Sequence, residues 1–143
     1  MKKHQRSAIV PFTAGQMYAL VADVPAYGEF LPWCGGARVD ERRSNDLLAT
    51  IDIAFKGIHK SFTTRNQFVE NEWMDMRLVS GPFSHLHGKW TFTELGDSGS
   101  KIALDIEFDF SNRVLGAVVG PIFGFISDGM VDAFMRRAES VYG

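Results

Sequence analysis

The sequence lacks several features that mark specialised classes of protein. It has a single cysteine, Cys34, among 143 residues, which excludes an internal disulfide and a thiolate-rich zinc site. It has no excess of positive charge, because 15 basic and 17 acidic residues give a net charge of −2. The broad basic footprint of a nucleic-acid-binding protein is therefore absent, and we expect no direct DNA binding.

Long hydrophobic runs are also missing. The uncharged stretch near the C-terminus, residues 114–127, has 14 residues. A membrane-spanning helix needs roughly 20 apolar residues, so we expect no membrane span here. No apolar region follows the charged residues 1–6, so we expect no secretory signal. These features favour a cytoplasmic protein and leave only peripheral contact with a membrane open.

Phenylalanine, by contrast, is abundant. The chain has 12 Phe, and 45% of its residues are hydrophobic, which excludes a disordered chain. No repeat, linker or low-complexity segment divides it, so we expect a single domain over residues 1–143. The aromatic rings must then fill one core or line a site within it.

Hydrophobic periodicity near the N-terminus predicts a strand followed by two short helices. Residues 1–10 are predicted to form the strand. Thr13 and Gln16 have the spacing of a capping box, which starts a helix whose apolar residues recur at helical intervals. A second short helix is predicted to end at Pro32.

The remaining sequence predicts a sheet and one long helix. Alternating apolar residues predict about six strands between residues 37 and 110, most clearly in residues 47–55. Residues 112–142 are predicted to be helical, with Ser111 as N-cap and Pro121 kinking or splitting the helix. This order indicates an α+β fold, in which a curved antiparallel sheet wraps around the long C-terminal helix and leaves a gap.

Short motifs along nearly the whole chain resemble one known family. They include Val10-Pro-Phe-Thr13, Phe30-Leu-Pro-Trp-Cys34, Phe62-Thr-Thr-Arg65, Gly81-Pro-Phe83, Trp90-x-Phe92 and Phe108-x-Phe110. In this order they resemble the coenzyme Q-binding START-like family of the polyketide cyclase/dehydrase superfamily. The resemblance implies a helix-grip (START-like) fold with an apolar tunnel.

The resemblance also implies a function for that tunnel. We expect a non-enzymatic carrier of a hydrophobic small molecule, with ubiquinone or a related isoprenoid lipid as its ligand, in support of respiration. No cofactor is required. Each buried CH₂ contributes roughly 0.8 kcal/mol, so a long tail needs few polar contacts. Arg65 and Asn66 are candidates to orient the head group. The expected tunnel wall consists of Phe30, Trp33, Phe55, Phe62, Leu78, Phe83, Trp90, Phe92, Ile106, Phe108, Phe123, Met130 and Phe134.

A second hypothesis comes from the same resemblance, because bacterial members of the family are linked to blocking ribosomal subunit association. This chain would then be a toxin that binds the large ribosomal subunit and stops translation. A local basic patch would serve that purpose, formed by Lys2, Lys3, Arg6, Arg42 and Arg43. The net charge of −2 favours lipid binding over ribosome binding.

Other groups of reactive side chains have simpler interpretations. Cys34 has no catalytic signature around it, so a packed thiol is favoured over a nucleophile. His85-x-His87 has the spacing of two metal ligands on a strand, but nothing selects further ligands. The acidic residues of segment 102–110 alternate with apolar ones, as on the wet face of a sheet. We expect no catalytic residue and no metal site, and a cyclase or hydrolase stays the third hypothesis.

The segment 114–126, which glycines and a proline interrupt, permits two interpretations. It is either a mobile gate over the tunnel or a region where helices simply end. Its apolar surface would also suit contact with a bilayer during lipid exchange. The sequence leaves these alternatives open.

Overall fold

Seven strands and two α-helices follow one another along the chain, and the computed structural model describes all 143 residues. The strands are β1 (Lys2–Val10), β2 (Cys34–Arg42), β3 (Asp46–Phe55), β4 (Ile58–Val69), β5 (Trp73–Ser80), β6 (Phe83–Glu94) and β7 (Ser100–Phe110). The α-helices are α1 (Ala14–Ala22) and α2 (Arg113–Tyr142), with short 3₁₀ helices at Val24–Glu29 and Gly96–Ser98.

All seven strands form one antiparallel sheet in the order β1-β7-β6-β5-β4-β3-β2, which leaves β1 and β2 as the edges. The sheet is curved, and α2 lies against its inner face. This helix-grip (START-like) fold confirms the predicted α+β class. The prediction of six strands after the short helices is also confirmed, and β5 has the bounds that the sequence pattern predicts for this strand, residues 73–80.

Strand β6 begins earlier than the alternation predicts. The sequence pattern predicts a strand from residue 89, whereas β6 starts at Phe83. The pairing of β6 with β7 shifts register between Phe83 and His85. The buried residues Phe83 and Leu86 are consequently three positions apart, which hides the period of two on which strand prediction depends.

The capping box at the start of α1 is confirmed. The backbone N–H of Gln16 donates to Thr13 Oγ1 at 3.0 Å, and the backbone N–H of Thr13 donates to Gln16 Oε1 at 2.9 Å. Two otherwise unpaired backbone donors are thereby satisfied. The helix then buries Met17 and Val21 completely in the core.

Helix α2 is continuous, so the expected split at Pro121 is wrong. Proline removes the donor that would bond to the carbonyl of Ala117, and both residues are exposed, so water can take that bond. The N-cap is Asn112, whose Oδ1 accepts from the N–H of Leu115 at 2.7 Å. Ser111, the predicted cap, instead donates to the carbonyl of Pro82.

By length and composition, α2 is long and apolar enough to cross a membrane. The 14 uncharged residues 114–127 had suggested that this segment was too short. An 18-residue window has a mean hydropathy of 1.7, and 33% of it is buried. Counting only uncharged residues ended the apolar segment at Asp128, although the apolar part of the helix continues beyond this residue. In the structure the helix behaves as a core helix, since Phe123, Ile126 and Phe134 pack inside the domain.

Polar contacts fasten α2 to the edge strand β1. Asp128 Oδ1 lies 2.7 Å from His4 Nδ1 and 3.0 Å from Arg6 Nη2. The His4 ring also stacks on Phe108, and its edge lies against Gly124 of α2. Apolar packing therefore attaches α2 to the inner face of the sheet, and this ionic cluster attaches it to the edge strand β1.

The packing of α2 predicts opposite outcomes for two of its phenylalanines. Phe134 is fully buried, so Phe134→Ala should lower the free energy of unfolding by about 3–5 kcal/mol. Phe125 is 64% exposed. Phe125→Ala should therefore change the free energy of unfolding by only about 0.5 kcal/mol or less. Urea denaturation of both variants measures the difference; equal losses would contradict this account of the core.

Candidate ligand cavity

An apolar cavity lies between the inner face of the sheet and α2. It is lined by 17 residues, of which 13 are hydrophobic. Its empty space is about 650 Å³ including the open mouth, but the centres of water-sized molecules can occupy only about 60 Å³. The cavity is therefore narrow. Its enclosed apolar walls with a few polar groups are typical of small-molecule sites.

Six residues of the expected tunnel wall line this cavity, and seven lie elsewhere. Those that line it are Trp33, Phe62, Trp90, Ile106, Phe123 and Met130. Those that do not are Phe30, Phe55, Leu78, Phe83, Phe92, Phe108 and Phe134. The sequence pattern missed several lining residues, among them Ile51, Met76, Leu86, Gly88 and Leu104, because alternation shows which residues face inward but not which of them border a void.

Several aromatic rings pack on each other next to the lining residues Phe62 and Phe123. The Phe83 ring centroid lies 4.9 Å from that of Phe123, and the Phe108 centroid lies 4.7 Å from the same ring. Phe62 and Phe110 also pack on Phe83. Such edge-to-face pairs bury each ring against its neighbours, which is why Phe83 and Phe108 do not reach the cavity.

A second aromatic group packs next to the lining residue Trp90. Phe134 packs edge-to-face on Trp90 at 5.3 Å and on Phe30 at 5.1 Å. Phe92 stacks on Trp90 from the far side of the cavity wall. Of the inward-facing residues of β6, Leu86, Gly88 and Trp90 line the cavity, whereas Phe92, the next one along the strand, does not.

The two remaining residues of the expected wall lie near strand ends. Phe55 is the last residue of β3 and stacks on the exposed ring of Phe125 at 5.9 Å. Leu78 is partly buried near the end of β5. Neither side chain lines the cavity.

Asn66 is the most distinctive polar group in the cavity wall. Its side chain is 3% exposed, and its Oδ1 accepts a hydrogen bond from Thr64 Oγ1 at 2.7 Å. The amide nitrogen has only the thioether sulfur of Met74 as a partner, at 3.9 Å, and thioethers are weak acceptors. The side-chain amide of Asn66 therefore has no strong acceptor within the protein, and its role as a head-group contact stays a prediction.

Arg65, the other head-group candidate, does not reach the cavity. Neighbouring residues on a strand point to opposite faces, and Arg65 lies on the outer face of β4. There its Nη1 lies 2.7 Å from Asp46 Oδ1, and its Nη2 lies 3.8 Å from Glu41 Oε2. The guanidinium group of Arg65 therefore forms ion pairs with carboxylates of β3 and β2.

The cavity wall contains no carboxylate, imidazole or cationic side chain. Its only ionisable group is Tyr27, whose hydroxyl donates to the carbonyl of Val21. Burial raises the pKa of that hydroxyl well above its ordinary value. General acid–base chemistry needs a group that titrates near neutral pH, so the wall offers no such pair to a cyclase or hydrolase.

The two histidines of His85-x-His87 lie on the outer face of the sheet. His87 Nε2 is 2.8 Å from Asp75 Oδ2, and His85 Nε2 is 3.1 Å from Glu107 Oε1. The hydrogen bond from His85 holds the pKa of the Glu107 carboxyl below its ordinary value. No group of three or more His, Cys, Asp or Glu side chains is arranged to hold a metal.

Fold and cavity together define a class of protein, the helix-grip domains that enclose an apolar site. The chain belongs to the family described as polyketide cyclase / dehydrase and lipid transport, whose family model matches residues 10–135. A solved structure with the same fold is the Zhui aromatase/cyclase from Streptomyces sp. R1128. It has a TM-score of 0.83 at 16% identity, and the match covers 96% of this chain and 93% of that one.

Curated relatives add more specific similarity. The chain is 45% identical over 143 residues to the ribosome association toxin RatA of Vibrio cholerae, covering 100% of this chain and 99% of that protein. It is 25% identical over 145 residues to the mitochondrial coenzyme Q-binding protein COQ10 homolog B of Xenopus laevis, covering 99% of this chain and 59% of that protein. The first similarity is much stronger and extends over both whole chains.

Cys34 gives a direct test of the packed-thiol interpretation. It is 8% exposed, and its thiol donates to the carbonyl of Gly36 at 3.3 Å. Burial raises the pKa of the thiol, so less reactive thiolate is present near neutral pH. Iodoacetamide should modify Cys34 more slowly than free cysteine, with a rate profile shifted to higher pH. Modification as fast as that of free cysteine, in the folded protein, would contradict this prediction.

Proposed function

We propose that this protein acts on the ribosome, as a toxin that binds the large subunit and blocks its association with the small subunit. The observation that carries the proposal is the 45% identity to the Vibrio cholerae ribosome association toxin RatA over the whole of this chain. Identity at this level over both full lengths supports a shared activity and not only a shared fold. Ribosomes lie in the cytoplasm, which agrees with the expected location.

The basic residues available for RNA contacts are fewer than the sequence suggests. Lys3 pairs with Glu107, and Arg6 pairs with Asp128. The expected patch is also divided, because Lys2, Lys3 and Arg6 lie on edge strand β1 whereas Arg42 ends the opposite edge strand, β2.

Arg42 and Arg43 are the strongest candidates for contact with ribosomal RNA. Both are exposed, neighbouring and free of ion pairs in this structure. Unpaired cations release counterions when they bind phosphates, whereas cations already paired with carboxylates contribute less. These two arginines therefore offer more to an RNA surface than the net charge of the chain indicates.

Sedimentation of ribosomes tests the proposed function directly. Purified protein added to separated ribosomal subunits should co-sediment with the large subunit and reduce the fraction that forms assembled ribosomes. Overexpression should likewise increase free subunits at the expense of polysomes. Unchanged sedimentation profiles at saturating protein would overturn the proposal.

The double variant Arg42→Glu/Arg43→Glu should weaken binding to the large subunit about tenfold or more and reduce its dependence on salt. The physical reason is the loss of two phosphate contacts and the introduction of repulsion. Lys89→Glu/Lys101→Glu is a matched control, because it changes the net charge equally at exposed lysines without ion pairs. Equal weakening in both variants would show that these arginines have no special role.

The cavity favours a second candidate function, the carrying of a hydrophobic ligand. A buried slot with apolar walls and one available amide donor suits an apolar molecule that carries an acceptor oxygen, such as a quinone. The similarity to the Xenopus coenzyme Q-binding protein supports this candidate more weakly.

The size of the cavity limits how such a ligand would bind. The narrow space accommodates a head group or part of a tail, so a long isoprenoid would extend through the open mouth or require α2 to move. Desolvation of the buried part would provide the affinity, at roughly 0.8 kcal/mol for each CH₂. Lipid extraction of the purified protein and mass spectrometry identify any bound molecule; protein that is always empty would argue against this candidate.

Asn66→Leu should separate head-group recognition from apolar binding. Loss of one hydrogen bond to a carbonyl oxygen should weaken a short-chain ubiquinone up to about tenfold. An isoprenoid hydrocarbon of the same length has no acceptor and should bind equally to both proteins. Fluorescence titration with the two ligands measures the contrast, and equal loss for both would mean that Asn66 only maintains the cavity.

A further inference from the structure

The exposed side of α2 carries a stripe of apolar side chains. Val114 is 76% exposed, Val118 is 51% exposed and Phe125 is 64% exposed. They are spaced four and seven residues apart, which places them on one face of the helix. Buried hydrophobic residues of the same segment face the sheet, so most of the surface of this stripe stays exposed to solvent.

The hairpin that joins β3 to β4 extends the stripe. Phe55, at the end of β3, stacks on Phe125 with its ring plane tilted by only 10°. The next residue, Lys56, places its Nζ 5.5 Å from the centroid of the Phe55 ring. Aromatic and cationic side chains therefore adjoin the apolar face of α2. We call this combined surface, formed by Val114, Val118, Phe125, Phe55 and Lys56, the α2 face.

The charged residues nearest the N-terminal part of the α2 face are positive. Further along the helix, Asp128 is paired with His4 and Arg6, and Asp132 is exposed. No acidic residue occurs between Ile53 and Val69 or between Arg113 and Ser127. Lys56, Lys60 and Arg113 are exposed, and none of them forms an ion pair. An apolar strip edged by unpaired cations complements a bilayer surface, where acyl chains lie beneath anionic head groups.

We propose that the α2 face docks peripherally on anionic lipid membranes. Phe125 and Val118 insert at the level of the head groups, and the neighbouring cations contact lipid phosphates. The helix does not span the bilayer, because its opposite face remains packed on the sheet. A ribosomal surface would need cations directed at phosphates more than exposed valine and phenylalanine, so the apolar character favours lipid. The proposal does not depend on ribosome binding.

Vesicle co-sedimentation tests this proposal with the full chain. The protein should pellet with phosphatidylcholine vesicles that contain about a third phosphatidylglycerol, less with phosphatidylcholine alone, and less in high salt. Val118→Asp/Phe125→Asp should reduce the bound fraction at least about tenfold, because two apolar contacts are replaced by repelled charges. The single variant Phe125→Asp should also bind more weakly. Its charge-matched control is Val141→Asp, because Val141 is 51% exposed on the same helix but lies outside the α2 face. It should bind as the unmodified protein does.

The same variants distinguish lipid from ribosome. Circular dichroism first confirms that each variant folds; should the double aspartate variant not fold, Lys56→Glu/Lys60→Glu replaces it, with the same expected loss. Failure of the unmodified protein to pellet with anionic vesicles overturns the proposal. An equal loss of vesicle binding in Val141→Asp also overturns it. The proposal is likewise overturned if Val118→Asp/Phe125→Asp keeps vesicle binding but no longer sediments with ribosomal subunits. In that last case the α2 face contacts the ribosome.

Discussion

The packing of α2 into the curved sheet is the contact on which the rest of the structure depends. The sheet has an apolar inner face that must be covered, and α2 covers it with Phe123, Ile126 and Phe134. Aromatic rings pack edge-to-face between helix and sheet, Phe123 on Phe83 and Phe134 on Trp90. Smaller side chains, including Gly88, line the cavity nearby. The cavity therefore occupies the part of this contact that the large rings do not fill.

Much of the fold follows from local sequence patterns, because each pattern reports a local physical preference. Alternation predicted the sheet, and the spacing of Thr13 and Gln16 predicted the cap of α1. The errors arise where tertiary structure intervenes: a register shift conceals the start of β6, and the carbonyl that Pro121 leaves without a helical donor lies at an exposed position, where the helix continues. The cavity wall was harder to predict. Whether an inward aromatic such as Phe92 packs in the core or lines a void depends on its position along α2, which alternation does not encode.

The charge of the chain illustrates a different limit of sequence reasoning. A net charge of −2 favoured lipid over ribosome, yet the stronger similarity is to a ribosome association toxin. A sum over all residues counts Lys3 and Arg6 equally with Arg42 and Arg43, although the first two are paired with carboxylates and the last two are not. Binding to RNA depends on unpaired cations at one place, so the arrangement of charges carries more information than their total.

The two faces of α2 are linked by their position on one helix. Phe123 and Ile126 line the cavity from its inner side, whereas Val118 and Phe125 lie on its exposed side. Because both sets of side chains belong to one helix, the membrane contact proposed above would be made by the same element that forms the cavity wall. Asp128, paired with His4 and Arg6, attaches this helix to the edge strand β1. The ionic cluster and the exposed stripe thus contact the element that bounds the cavity, although neither lines the cavity itself.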